Sequence, residues 1–302
     1  MNLTSDEHEE TKPIVTIGVC VRNGAATLRE AIESIMSQNY PHELMEIIFV
    51  DDGSTDDTLS IINDYASKMD IKVKIFHHEW KGLGYSRNVV VDNAEGKYII
   101  WVDGDMILPT DHVRKQVKFM EQNPQVGIGK AKYGFMRGEN LVATLENLPY
   151  IVLDAKNESL YSKLPGTGGA IFRVEAIRKV GGFDNRISGA GEDLDIAYRL
   201  KVAGWHIERS HAYFYERRVR TWRDLWRKHF WYGYGLFQIY RKDRRVFSPF
   251  RMNPLASFVA GILFALEGYK LTGCKSVFML IFHYAFKSIA WYFGFIKAQI
   301  NS

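Results

Sequence analysis

Residues Lys97 to Leu108 read KYIIWVDGDMIL, an apolar run that stops at two carboxylates one residue apart, Asp103 and Asp105. Residues Tyr98 to Val102 have the apolar character of a central strand buried on both faces. In open α/β sheets ligands gather beyond the carboxyl ends of such strands, so the acid pair is expected on the floor of a cleft. Two carboxylates this close repel one another unless a cation joins them. A hard divalent ion such as Mg²⁺ or Mn²⁺ does so through oxygen ligands and completes its shell with water and phosphates. The competing reading is an Asp-Gly turn with no ligand at all. The neighbouring segments decide between the two.

Upstream, strands alternate with helices. Ile14 to Val21 is an apolar strand. Thr27-Leu-Arg-Glu30 has capping-box spacing ahead of Leu28, Ile32, Ile35 and Met36 on one helical face. Glu46 to Val50 forms the next strand and runs into Asp51-Asp52-Gly53-Ser54-Thr55-Asp56-Asp57, whose acids and hydroxyls suit a helix start. A third strand over Ile71 to Phe76 and a short helix over Ser86 to Ala94 follow. This alternation predicts βαβ units and a mostly parallel sheet. Downstream, the pattern predicts a helix over Asp111 to Asn123, a strand over Val126 to Tyr133 and a helix over Asn140 to Asn157. A glycine-rich loop, Leu164-Pro-Gly-Thr-Gly-Gly-Ala170, leads into a strand over Ile171 to Arg173. The next helix ends at Gly181-Gly182, and another starts at Gly191-Glu-Asp-Leu-Asp195 and stops at Gly204.

The 302 residues are 46% hydrophobic and 25% charged, enough for one large core and too apolar for a disordered chain. The net charge of +4 hides a local basic region, because arginines and lysines from Arg217 to Arg251 are interleaved with Trp222, Trp226, Trp231, Tyr232 and Tyr234. Two apolar stretches follow, Pro254 to Leu266 and Val277 to Ile296. The first is shorter than the ~20 residues a bilayer span needs, and the second carries His283 and Lys287. Amphipathic helices lying in a membrane interface fit better than clean spans. Nucleic-acid binding lacks any module, and a dimer interface is the remaining alternative. Cys20 and Cys274 provide no disulfide framework or metal spacing, and residues 1–12 are acidic, polar and unlike a signal peptide. The expected location is the cytoplasmic face of a membrane.

Five clusters carry potential chemistry, each with a structural alternative. Asp52, beside Asp51, can accept hydrogen bonds from a ribose or base, or cap a helix. Arg87, in Gly82-Leu-Gly-Tyr-Ser-Arg87, can hold a diphosphate, or be an ordinary surface arginine. Asp103 and Asp105 form the third. Gly168 and Gly169 let backbone approach a ligand, or simply turn. Glu192, Asp193 and Asp195 can include a general base, or complement a helix dipole.

The order Pro13 to Val21, Asp51-Asp52-Gly53-Ser54, Gly84-Tyr-Ser-Arg87-Asn88, Asp103-Gly-Asp105, Gly168-Gly169-Ala170 and Gly191-Glu-Asp-Leu-Asp195 resembles family 2 glycosyltransferases of the GT-A fold. Six motifs in order and at matching spacing are specific where one is not. The resemblance covers roughly Pro13 to Tyr215. It implies a Rossmann-like, mixed but mostly parallel sheet, with 13–105 as the nucleotide-binding half, 106–215 as the acceptor half, and 216–302 as a basic-aromatic linker with membrane-associated helices. It also implies inverting transfer from a nucleoside-diphosphate sugar, UDP- or GDP-linked, with Mn²⁺ or Mg²⁺. Asp52, Arg87 and Asp103 would bind the nucleotide sugar and Asp105 the metal. Asp193 would be the base, and Gly168, Gly169 and Glu192 would position donor or acceptor.

A base favours a sugar hydroxyl on a lipid-linked or other membrane-borne glycan over dolichyl or polyprenyl phosphate, which is already anionic. The Gln-x-x-Arg-Trp motif of processive members is absent, Arg223-Asp-Leu-Trp226-Arg227 standing there instead, so one sugar per encounter is expected. A sugar nucleotidyltransferase would need a phosphate-gripping loop where this chain has Cys20-Val-Arg-Asn-Gly24. A non-catalytic scaffold would not need all these acids.

Overall fold

The computed structural model describes residues 12–134, 140–155, 164–187 and 190–302. Residues 1–11 of the acidic segment, and the last two of the helix expected to reach Asn157, lie outside them. The first half comprises β1 (Val15–Val21), α1 (Leu28–Met36), β2 (Met45–Asp52), α2 (Thr58–Ala66), β3 (Lys72–His78), α3 (Leu83–Asn93) and β4 (Tyr98–Trp101). The four strands are parallel in the order β3-β2-β1-β4. Every residue of β1, β2 and β4 is buried, which is why these strands read as unbroken apolar runs, whereas the edge strand β3 alternates.

The second half comprises β5 (Met106–Ile107), α4 (His112–Gln122), β6 (Val126–Tyr133), α5 (Leu141–Ala155), β7 (Ala170–Arg173), α6 (Val174–Lys179), α7 (Glu192–Val202) and β8 (His206–Glu216). It extends the sheet as β4-β7-β6-β8-β5. β7 runs antiparallel to both β4 and β6, β6 and β8 are parallel, and β5 is antiparallel to β8. The sheet is therefore mixed, and its antiparallel part lies downstream of the acid pair.

Two local features differ from the sequence-based expectation. Thr27 does not close a capping box; its hydroxyl donates to the Gly104 carbonyl at 2.7 Å, tying the start of α1 to the turn between Asp103 and Asp105. The eleven-residue β8 was not anticipated. Its inward positions include Ser210, Ala212 and Phe214, and small or polar residues hide the period of two that marks a strand.

Three helices complete the chain: α8 (Trp222–Lys242), α9 (Pro254–Thr272) and α10 (Leu280–Ile300). Thr221 caps α8 by accepting from the Asp224 amide, and Asn253 caps α9 ahead of Pro254. α8 and α10 cross at reciprocal glycines. A Cβ on Gly233 would lie 1.9 Å from the Trp291 carbonyl oxygen, and one on Gly294 would lie 1.9 Å from the Phe230 carbonyl oxygen. No side chain fits at either position, so the two backbones touch. Two ionisable residues of α10 turn inward: Lys287 Nζ lies 2.8 Å and His283 Nε2 3.2 Å from Glu146 on α5. Part of its apolar surface packs inward through Leu280, Trp291 and Phe295, and part turns out. Leu255 and Leu263 of α9 and Phe282 and Phe293 of α10 are each more than half exposed.

Candidate active site

The turn after β4 and the first turn of α7 open onto one cavity of about 430 Å³. The turn is built as an Asp-Gly turn and still presents both acids: the Met106 amide donates to the Asp103 carbonyl at 3.0 Å, while the Asp103 and Asp105 side chains line the cavity. The two readings of this tripeptide are therefore compatible. The Asp103 side chain is 42% exposed and lies 3.8 Å from the Arg87 guanidinium. Burial of its surroundings pushes its carboxyl up, with Arg87 acting against that.

Asp105 carries the larger perturbation. Burial, Glu216 and Asp103 push its carboxyl up to about 7. Glu216 comes close because β5 and β8 pair Met106 with Glu216 and the Arg217 amide donates to the Asp105 carbonyl at 2.8 Å. Glu216 has its own cations, Arg218 at 2.7 Å and Lys228 at 3.5 Å, which outweigh burial and hold its carboxyl below the ordinary value. The carboxylates around the cavity are Asp103, Asp105, Glu146, Glu192, Asp193 and Glu216, against cationic Arg87, Lys130, Arg218, Lys228 and Lys287. The walls thus hold one more acid than base, and Asp105 bears the imbalance.

These residues fit a divalent cation. Among the described residues no three His, Cys, Asp or Glu side chains form a preformed metal cage. Asp103 and Asp105 on one cavity wall suit an ion held by one or two carboxylates and completed by substrate phosphates, as Mg²⁺ and Mn²⁺ commonly are.

Asp193 lines the same cavity, and its Oδ1 also accepts from the Leu194 amide at 2.8 Å, so a first-turn backbone contact and cavity exposure coexist in one side chain. The glycine-rich loop passes between the acids. A Cβ on Gly166 would lie 3.0 Å from Asp193 Oδ2, and one on Gly168 would lie 2.9 Å from Asp103 Oδ2. Gly169 has φ +64 and donates its amide to the Trp101 carbonyl at 3.0 Å. Asp195 faces away and binds Arg199 and Lys242.

Two expected ligands of the nucleotide sugar are placed differently from the simple expectation. Arg87 reaches the cavity wall but is buried there, its guanidinium in contact with the Glu192 carboxylate and packed near the Trp101 and Phe183 rings. Burial alone would lower the Arg87 pKa, yet Glu192, Asp103 and Asp193 raise it on balance. Burial pushes Glu192 up to about 7 against the pull of Arg87, and its Oε2 has no hydrogen-bond partner. The pair joins α3 to the first turn of α7. Asp52 does not line this cavity; its carboxylate accepts from the Lys81 and Gly82 amides at 2.8 and 3.0 Å and holds the start of α3.

Sequence reasoning missed Lys130, Glu146, Glu216, Arg218, Lys228 and His229, all of which line the cavity. Arg218 and Lys228 were visible only as members of a basic cluster assigned to lipid. Their inward direction follows from β8 and α8 closing over the turn, a long-range pairing with no local sequence mark.

The glycosyl transferase family 2 model matches residues 16–181. An uncharacterised glycosyltransferase of Haemophilus influenzae is 34% identical over 151 residues, covering 48% of this chain and 59% of that protein. The poly-β-1,6-N-acetyl-D-glucosamine synthase of Staphylococcus epidermidis is 22% identical over 253 residues, covering 80% of this chain and 58% of that protein. The chain thus spans less than two thirds of the length of either relative. Among solved structures, the mannosyltransferase PcManGT from Pyrobaculum calidifontis, in complex with GDP-Man and Mn²⁺, superposes with a TM-score of 0.68 at 20% identity, over 96% of this chain and 88% of that one. The fold is GT-A, a mixed sheet flanked by helices with apolar helices at the C-terminus. The chain belongs to glycosyl transferase family 2.

His229 offers a check on the cavity's construction. It is buried, neither ring nitrogen has a partner among the described residues, and burial, then Lys287, pushes its pKa down to about 3. The unfolded chain takes up this proton near pH 6.5, while the folded one resists to about 3. Its contribution to stability is therefore complete above pH 6.5 and is lost as pH falls, by at most ~1.4 kcal/mol per pH unit. Asp105, pushed up, acts in the opposite sense, so the comparison is between the wild type and His229→Leu. Thermal unfolding should show the wild type losing more stability than His229→Leu between pH 7 and 5; parallel curves would mean that His229 is solvated or paired.

Proposed function

We propose that the protein is a metal-dependent, inverting glycosyltransferase moving one sugar per encounter from a UDP- or GDP-sugar to a hydroxyl of a lipid-linked or other membrane-borne glycan. The observation that carries this reading is the opening of Asp103, Asp105 and Asp193 onto a single cavity. Asp105, with Asp103 beside it, would hold Mn²⁺ or Mg²⁺, which when bound with the donor offsets negative charge on the diphosphate. Asp193 takes the proton from the acceptor hydroxyl, so that its oxygen attacks the anomeric carbon opposite the leaving nucleoside diphosphate. Asp52 would act on the nucleotide indirectly, by fixing the loop ahead of α3. Arg87 would act through Glu192, keeping the helix that carries the base in place.

A hydroxyl acceptor is favoured over a polyprenyl phosphate by the charge pairing in the cavity. Arg218 and Lys228 share Glu216 and Lys287 pairs with Glu146, so each of these cations already has a carboxylate partner. The acceptor is reached at a membrane because α9 and α10 present large exposed apolar residues in a nearly continuous series. With His283 and Lys287 facing Glu146 and the α10 backbone locked to α8, α10 lies in the interface as part of the folded body.

Two experiments test these assignments. Purified protein with Mn²⁺ should release nucleoside diphosphate from one member of a UDP- and GDP-sugar panel when acceptor glycolipid is supplied. Asp193→Asn should lower turnover by at least ~10²-fold while the thermal shift given by nucleotide and Mn²⁺ persists; wild-type turnover in that variant would remove the base assignment. In flotation, the wild type should rise with phosphatidylglycerol vesicles and the double variant Leu263→Glu, Phe282→Glu should stay in the soluble fraction. Equal flotation of both would show that this face does not meet lipid.

A further inference from the structure

Lys130 is a buried lysine on β6, a strand to which the family resemblance assigns no chemical role. Only 2% of its surface is exposed, yet among the described residues no carboxylate forms an ion pair with it. Its ammonium donates instead to two backbone carbonyls of the glycine-rich loop, Gly166 at 3.1 Å and Gly168 in closer contact. The Tyr133 and Phe214 rings sit beside it, with Nζ 5.5 and 5.1 Å from their centroids. Burying a charged ammonium is costly, and two neutral carbonyls only partly offset that. Burial accordingly pushes Lys130 down to about 8, against the pull of Asp103, Glu216 and Asp193. Such an arrangement wants an explanation beyond packing.

The two glycines it grips are the two that face the acids. Gly166 lies against the Asp193 carboxylate and Gly168 against that of Asp103, each too closely for an unhindered side chain. One ammonium therefore fixes both contact points of the loop that separates the assigned base from the acid pair. It also supplies positive charge facing both carboxylates.

We propose that Lys130 is a positioning residue for glycosyl transfer: by clamping the Gly166 and Gly168 carbonyls it sets the separation and orientation of Asp193 relative to Asp103. The inference rests on the reading of Asp193 as base. Without the clamp both carbonyls lose their partner, the loop relaxes, and Asp193 is free to shift toward or away from the acceptor oxygen. A displacement near 1 Å costs on the order of 10²-fold in rate. Donor binding, which draws on the acid pair and the region beyond β2, changes little.

The test uses full-length protein with the donor found active in the UDP- and GDP-sugar panel, Mn²⁺ and acceptor glycolipid. Lys130→Met should lower kcat by ~10- to 100-fold, with KM for the donor and the thermal shift given by nucleotide and Mn²⁺ within about twofold of the wild type. Lys130→Arg, which can still donate to two carbonyls, should recover part of that loss. Gly166→Ala adds a methyl group 3.0 Å from Asp193 Oδ2 and should also lower kcat selectively, without removing any charge. Should Lys130→Met fail to fold, Gly166→Ala decides. Turnover within twofold of the wild type in Lys130→Met, or in Gly166→Ala when it must decide, overturns the proposal. So does parallel loss of nucleotide binding and turnover, which marks a general structural role. If the wild type releases no nucleoside diphosphate from any donor, the functional reading itself fails, and that result is distinct from an active enzyme indifferent to Lys130.

Discussion

Mutual repulsion among carboxylates crowded at the end of β4 is the constraint on which the rest of the site depends. Asp103 and Asp105 are brought together by a tight turn, and sheet pairing adds Glu216 from 110 residues downstream of the turn's last positions. Arg218 and Lys228 neutralise Glu216, Arg87 lies near Asp103, and Asp105 is left with its carboxyl pushed up to about 7. A fold that gained only stability from this turn would have paired Asp105 or replaced it. Under the proposed function, such an open carboxylate is where a cation would be received together with phosphates.

The C-terminal helices belong to this arrangement. Lys228 and His229 of α8 and Lys287 of α10 line the same cavity as the acids. The reciprocal glycines lock α8 to α10, and Lys287 ties α10 to Glu146 on α5. The surface presenting Phe282 and Phe293 is therefore mechanically continuous with the cavity wall. If that surface rests on lipid, the cavity is held at a fixed height above it, which suits an acceptor whose sugar projects from the membrane.

The sequence made the first half of the fold legible because β1, β2 and β4 are buried on both faces and stand as apolar runs between turn residues. The acids at Asp103, Asp105 and Asp193 were legible because each ends or begins an element. Arg87 lies 3.8 Å from Asp103, but its closer partner could not be seen in the sequence: Glu192 lies 105 residues away. Lys130, Glu216 and Lys228 escaped notice for the same reason. Their chemistry comes from β6, β8 and α8 converging in space, and β8 itself was masked by Ser210 and Ala212 at inward positions. Thr27 shows the converse, since its capping-box spacing was genuine and a long-range bond to Gly104 took precedence.

The central claim is that the carboxylate left unneutralised at Asp105 receives a divalent cation together with the nucleotide. Electron paramagnetic resonance of free Mn²⁺, titrated with wild-type protein and with Asp105→Asn in the presence of UDP or GDP, measures this without requiring turnover. The account predicts that the wild type removes about one equivalent of Mn²⁺ in the presence of the matching nucleotide and that Asp105→Asn removes almost none at the same concentrations. Equal uptake by the two proteins would contradict it.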